Sequence, residues 1–212
     1  ADYVGAVRGG RKVFLAAPPL LKAATGEIAT DEELGGAEMH CHVSGVADYM
    51  AENDADGIRV AREIVSRLGG AFRAKAPAKR CREPLYSPDE LIGVVPVDYR
   101  VPYDAREVIA RLVDGSDFLG FKDGYGAATV CVEAEVAGHA VGMIANNGPI
   151  DADGAAKAAQ FIQLMCQAGS PLVFLQNTTG YLVGADAEQR GIVKHGSKMI
   201  QAVTNMTAPK IT

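Results

Sequence analysis

The sequence predicts an α/β fold, and three observations carry the prediction. In Pro171–Gly184, PLVFLQNTTGYLVG, the apolar run Leu172-Val173-Phe174-Leu175 stops abruptly in a polar, glycine-bounded turn. About thirty residues earlier, Val141–Gly148, VGMIANNG, ends in the same way. Helical patterns lie between and beyond them, from Asp151 to about Ala168 and from about Glu188 to Met206. Short apolar runs alternating with helices read as buried parallel strands joined by right-handed helical crossovers. In such open sheets, ligands gather beyond the carboxyl ends of the strands.

The remaining elements follow in order. Tyr3–Val7 and Val13–Ala16 read as strands, after which Pro18-Pro19 breaks the chain ahead of an alanine-rich turn of helix. Thr30–Glu33, TDEE, matches a capping box, with Thr30 as N-cap and Glu33 three residues on. Asp54 opens an amphipathic helix in which Ile58, Ala61, Ile64, Val65 and Leu68 recur at helical spacing, and Gly69-Gly70 stops it. Ala71–Pro88 places Arg73, Lys75, Lys79, Arg80 and Arg82 among three prolines and one acid. It reads as a basic linker, or as a patch for an anionic partner such as CoA phosphates. Beyond it, Asp104 caps a helix from Ala105 to Val113, and Ala128–Val136 alternates as a strand. Gly138-His139 turns that strand back into Ala140–Ala145 as a hairpin. Asp151 leads a helix closed by Gly169, and a last strand opens at Lys210-Ile211-Thr212. The organisation expected is a first part, 1–70, the linker 71–88, and a second part, 89–212, with both ends of the chain cutting through a pattern.

Composition removes several classes of function. A formal net charge of −5 argues against general binding of nucleic acid, which needs a basic surface. No apolar run reaches the eighteen or so residues of a membrane helix. Cys41, Cys81, Cys131 and Cys166 stand far apart without C-x-x-C, as in reduced proteins of the cytoplasm or the mitochondrial matrix.

The chemistry-bearing residues are few. There is no G-x-S-x-G, since Ser197 lies in HGSK within a helical pattern and Ser44 in VSGV lacks the leading glycine. His40-Cys41-His42, read as a strand, puts both histidines on one side, but no third ligand is visible and no metal site is assigned. Walker and G-x-G-x-x-G loops are absent. What remains is glycine-lined and neutral: Gly148, Gly180 and Gly184, with Asn146, Asn147, Gln176, Asn177, Thr178 and Thr179 offering uncharged hydrogen bonds. Such groups suit an amide- or urea-like ligand better than a phosphate. Asn-Gly and Thr-Gly also serve simply as turns.

Longer motifs carry a resemblance. IANNG at 144–148, PLVFLQNTTGYLVG at 171–184 and GIVKHGSKMIQAV at 191–203 resemble the carboxyltransferase (β) subunit of biotin-dependent acyl-CoA carboxylases. PPLLKAATGE at 18–27, LGGAEMHCHVSGVADYMAENDADG at 34–57 and YSPDELIGVVPVDYRVPYDAREVIARLVDGSDF at 86–118 agree with it. The wording is most similar to the 3-methylcrotonyl-CoA and geranyl-CoA carboxylase branch. Ala16-Ala17 departs from the glycine usual in that family and could narrow the acyl pocket.

The resemblance implies a crotonase (ClpP/crotonase) superfamily fold with parts of two ββα-repeat domains. Residues 1–70 would be the C-terminal part of the N-terminal carboxyltransferase domain, and 89–212 the N-terminal part of the C-terminal one. It implies transfer of a carboxyl group from carboxybiotin to an acyl-CoA carbanion, with two oxyanions held by backbone N–H groups. Carried over by motif, Asn146, Asn147, Gly148, Asn177, Thr178, Thr179 and Gly180 would lie at the biotin end. Pro18, Pro19, Gly35 and Gly36 would lie at the acyl-CoA end. Both oxyanion loops of the family fall outside the 212 residues, so no catalytic residue is assigned and no turnover is expected of these residues alone. The implied partners are a biotin carboxylase and biotin carrier (α) subunit and further copies in a homo-oligomer, a hexamer in the full-length family. Two alternatives share the fold: the carboxyltransferase of a sodium-coupled biotin-dependent decarboxylase, and a non-catalytic assembly module.

Overall fold

A computed structural model describes residues 2–10, 12–68, 80–98, 101–178 and 180–212. They divide into two compact units, Ala1–Ser66 and Arg67–Thr212.

In the first unit, β1 (Gly5–Val7) pairs in parallel with β2 (Tyr49–Ala51), Gly5 opposite Tyr49. The strand expected at 13–16 does not form; Val13 gives a single backbone bond, to the Gly35 carbonyl at 3.1 Å. The two prolines start α1 (Pro18–Thr25), because a first helical turn has no use for their missing N–H groups. Thr30 and Glu33 make the expected capping box at the head of α2 (Asp31–Gly35), with Thr30 Oγ1 accepting from the Glu33 N–H at 3.2 Å. Next, α3 (Ala37–Met39) runs into a π-helical turn, His40–Ser44. The strand reading of His40-Cys41-His42 therefore fails: on a helix, neighbours two apart diverge. His40 is held by Ser44 Oγ at 2.8 Å and the Val13 carbonyl at 2.5 Å, while His42 pairs with Glu38 at 3.3 Å. Among the described residues, no group of three His, Cys, Asp or Glu could hold a metal ion. Helix α4 (Asp54–Arg67) forms as expected, but its apolar stripe is only partly used: Val60 is buried, whereas Ile58 and Val65 line an open groove. Gly69-Gly70 and the linker as far as residue 79 lie outside the described residues.

The second unit is built on a five-stranded sheet in the order β3 (Phe118–Gly120), β4 (Thr129–Val136), β5 (His139–Asn146), β6 (Leu172–Leu175), β7 (Lys210–Ile211). The first three strands are antiparallel and the last three parallel. Short α5 (Leu91–Val94) precedes α6 (Ala105–Ala110), which ends earlier than the periodicity predicts. Ile109 and Val113 pack against Val130, Val132, Met143 and Ala145 on one face of the sheet. Helix α7 (Ala152–Ala168) covers the other face, capped by Asp151 and closed by Gly169 at φ 68°. It approaches so closely that a Cβ on Gly142 would lie 2.6 Å from Met165 Cγ. The single helix expected at 188–206 is two, α8 (Ala185–Gln189) and α9 (Ile192–Asn205), broken where Gly191 takes φ 77°. All four cysteines are free; Cys41 and Cys131 are buried and Cys81 is exposed. No helix among the described residues is long and apolar enough to cross a membrane.

Candidate functional site

The two polar strand tips come together in the second unit. Strands β5 and β6 run in parallel with Ala145 opposite Leu175, so Asn146 and Asn147 leave the sheet beside Gln176 and Asn177. A bridge between Ile150 and Tyr181 extends the pairing: Ile150 N–H donates to the Gly180 carbonyl at 3.1 Å, and Leu182 N–H to the Ile150 carbonyl at 2.8 Å.

Strand alternation parts the two asparagines. Asn146 shares the α7 side of the sheet with Gly142 and is only 4% exposed; its Nδ2 has no partner, nor does Oγ1 of Thr129 across the strand pair. Asn147 turns to the α6 side. Its Oδ1 accepts from the Ala105 N–H at 2.7 Å and its Nδ2 donates to Asp104 Oδ1 at 3.3 Å. Gly148 has open space, the nearest atom to an added Cβ being Ala128 Cβ at 3.8 Å. Asn177 is exposed. The Thr178 hydroxyl closes a local turn, donating to the Gly180 carbonyl at 3.2 Å and accepting its N–H at 3.3 Å. Gly180 takes φ 133°, a conformation that favours glycine. Thr179 lies outside the described residues. A cleft of about 290 Å³ opens between the β6 tip and α6, lined by Tyr103, Ala105, Val108, Phe174, Leu175, Gln176 and Asn177. None of these residues carries a formal charge.

Tyr181 escaped the reading of residue types. Its ring packs on α9, where a Cβ on Gly196 would touch it at 3.4 Å, and its hydroxyl donates to the Gly196 carbonyl at 3.4 Å. Burial raises its phenol pKa. Because the bridge uses the neighbours' groups, the backbone N–H and C=O of Tyr181 point away from Ile150. The aromatic residue after the Thr-Thr-Gly turn was the available signal. Ser197 donates to the Lys194 carbonyl at 2.8 Å, as a helical serine does, and offers no nucleophile.

The residues assigned to an acyl-CoA end all lie in the first unit. Pro18 and Pro19 occupy the first turn of α1, Pro19 exposed and Pro18 half-buried. Gly35 and Gly36 are buried by close backbone packing: an added Cβ would lie 2.5 Å from the Val13 carbonyl oxygen at Gly35, and would also clash with the Glu32 carboxylate at Gly36.

Residues 1–212 match the carboxyl transferase domain family along their whole length. The chain belongs to that family. It is 50% identical over 212 residues to the mitochondrial methylcrotonoyl-CoA carboxylase beta chain of Dictyostelium discoideum, covering 100% of this chain and 36% of that one. The crystal structure of the P. aeruginosa geranyl-CoA carboxylase beta subunit is 58% identical, covering 99% of this chain and 40% of that one with a TM-score of 0.61. The transcarboxylase 12S structure, described as a hexamer with methylmalonyl-coenzyme A bound, is 35% identical and superposes on all of this chain and 42% of its own with a TM-score of 0.92. The expected crotonase-type fold is thus the one observed. The chain spans about 40% or less of the curated carboxylase β chains it matches best.

Proposed function

We propose that the chain is part of the carboxyltransferase component of a biotin-dependent acyl-CoA carboxylase. The observation that carries the reading is the unbroken match of residues 1–212 to the carboxyl transferase family, with a methylcrotonoyl-CoA carboxylase chain at 50% identity. The strand tips suit the chemistry. A ureido ring is neutral and presents both N–H and C=O, and the polar groups at the tips are carboxamides and backbone amides with no cation among them. Bound there, carboxybiotin supplies an activated carboxyl group. Asn177, Gly180 and the outward backbone of Tyr181 would hold it, while Thr178 shapes the turn and Asn147 ties it to α6. The acyl-CoA end is assigned, by resemblance, to Pro18, Pro19, Gly35 and Gly36.

Relatives named as carboxylases favour carboxylation over the decarboxylating alternative. The 12S hexamer supports assembly with further copies, and a biotinylated carrier with its biotin carboxylase is the partner this chemistry requires. A relative named as mitochondrial supports a mitochondrial-matrix or cytoplasmic setting.

Grafting this chain in place of the matched stretch of the P. aeruginosa subunit tests the reading. The graft, supplied with biotinylated carrier, biotin carboxylase, ATP and bicarbonate, is expected to carboxylate a branched unsaturated acyl-CoA. A folded graft that binds the carrier yet forms no carboxylated thioester overturns it.

A further inference from the structure

The cleft at the β6 tip has two walls from distant parts of the chain, and one side chain joins them. Asn147, at the end of β5, accepts from the Ala105 N–H at 2.7 Å and donates to Asp104 at 3.3 Å. Asp104 is itself the N-cap of α6, accepting from the Arg106 N–H at 3.0 Å. The first turn of α6 is thereby fastened to β5. Tyr103 and Ala105, flanking Asp104, form one wall of the cleft, and Phe174, Leu175 and Asn177 form the other.

Size and lining limit what the cleft can take. Its volume of about 290 Å³ falls at the lower end of the range for small-molecule sites, which suits one ring and not a CoA nucleotide. The walls are apolar (Ala105, Val108, Phe174, Leu175), and the polar groups at the exposed mouth are the carboxamides of Gln176 and Asn177. A carboxamide offers an adjacent donor and acceptor, the complement of the N–H and C=O along one edge of an amide or urea. A carboxylate or phosphate finds no cation among these residues.

We propose that this cleft seats the ring of a neutral cyclic urea with Asn177 at its polar edge, and that Asn147 is the positioning residue that holds the cleft open. The inference rests on the carboxyltransferase reading, which supplies the urea class. Asn147 makes no ligand contact in this account, because its amide is engaged on both sides by α6.

Isotope-labelled methyl groups of the whole chain, titrated with ethylene urea and separately with d-biotin, provide the test. Both probes are expected to shift the Val108 and Leu175 methyls, and CoA alone to leave them unmoved. Asn177→Leu and Asn147→Ala should each weaken the urea by about tenfold, the value of one hydrogen bond or of a wall displaced. The exchanged pair Asp104→Asn with Asn147→Asp keeps an acceptor for the Ala105 N–H and a donor between the two side chains, so it should regain the wild-type affinity. That recovery is the readout a purely structural asparagine would not show, and it stands even if Asn147→Ala does not fold. Shifts around Ala187 and Ile192 with Val108 and Leu175 silent would overturn the cleft while leaving carboxyl transfer intact. An Asn147→Ala chain that binds urea as tightly as wild type would overturn the positioning role. Failure of the grafted subunit to transfer carboxyl groups would instead strike the functional reading.

Discussion

Between pH 9 and pH 12 the protein is expected to lose about 4 kcal/mol of stability through one thiol, because burial pushes Cys131 from 9.0 up to about 12. Cys131 lies on β4 with no exposure, on the side of the sheet covered by α7. The folded chain keeps the thiol protonated where the unfolded chain ionises it. The contribution is therefore whole below pH 9 and disappears as pH rises through the folded value. Tyr125 acts in the same direction: burial first, then its 3.0 Å hydrogen bond to Asp153, push its phenol to about 12. Lys157 acts in the opposite direction. Its amine is buried and donates to the Tyr125 carbonyl at 3.0 Å, and burial lowers its pKa below the ordinary 10.5, so it favours the fold more as pH rises toward that value. Cys131→Ala separates the terms. Urea midpoints should place the variant below wild type at pH 7, with the gap closing as pH passes 9. A gap constant to pH 11 would show that the thiol does not titrate as argued.

Asp114→Ala is expected to cost about 3 kcal/mol, roughly 6–12 °C in Tm, by unfastening the β4–β5 hairpin. The Asp114 carboxylate is buried and accepts from the Ala137 N–H at 2.8 Å and the Gly138 N–H at 2.7 Å. Those residues make the turn at φ 51° and 77°, and at Ala137 the left-handed backbone strains a Cβ that glycine would not carry. Two charge-assisted bonds offset that strain. Alanine at 114 leaves two donors unpaired, whereas Asp114→Asn keeps one acceptor and should lose about half as much. Thermal melts with an unchanged far-ultraviolet spectrum at low temperature measure it. A loss below about 1 kcal/mol would mean that solvent serves the turn as well as Asp114 does.

Asp114 also marks the boundary of what the sequence reveals. The hairpin was legible from the alternation of 128–136 and the Gly138 turn, but its clamp lies 23 residues upstream. Helix α7 was legible at both ends because Asp151 and Gly169 are local signals. The break at Gly191 was missed because the apolar period continues across it, with Ala187 and Ile192 both buried. The prolines at 18 and 19 misled in the other direction, since proline breaks a helix interior yet fits its first turn. At the site, the pairing of the two tips followed from their parallel strands. The separate fates of Asn146 and Asn147 did not, because residue type alone does not say that Asn147 is engaged by Ala105, 42 residues away.

The central claim is that this stretch of chain takes part in moving a carboxyl group from biotin to an acyl thioester. The most direct measurement is a single turnover of the grafted subunit with a pre-carboxylated, radiolabelled biotin carrier and no ATP. The account predicts acid-stable label in the acyl-CoA fraction, dependent on the thioester. Label lost as carbon dioxide at the same rate with or without acyl-CoA would contradict it.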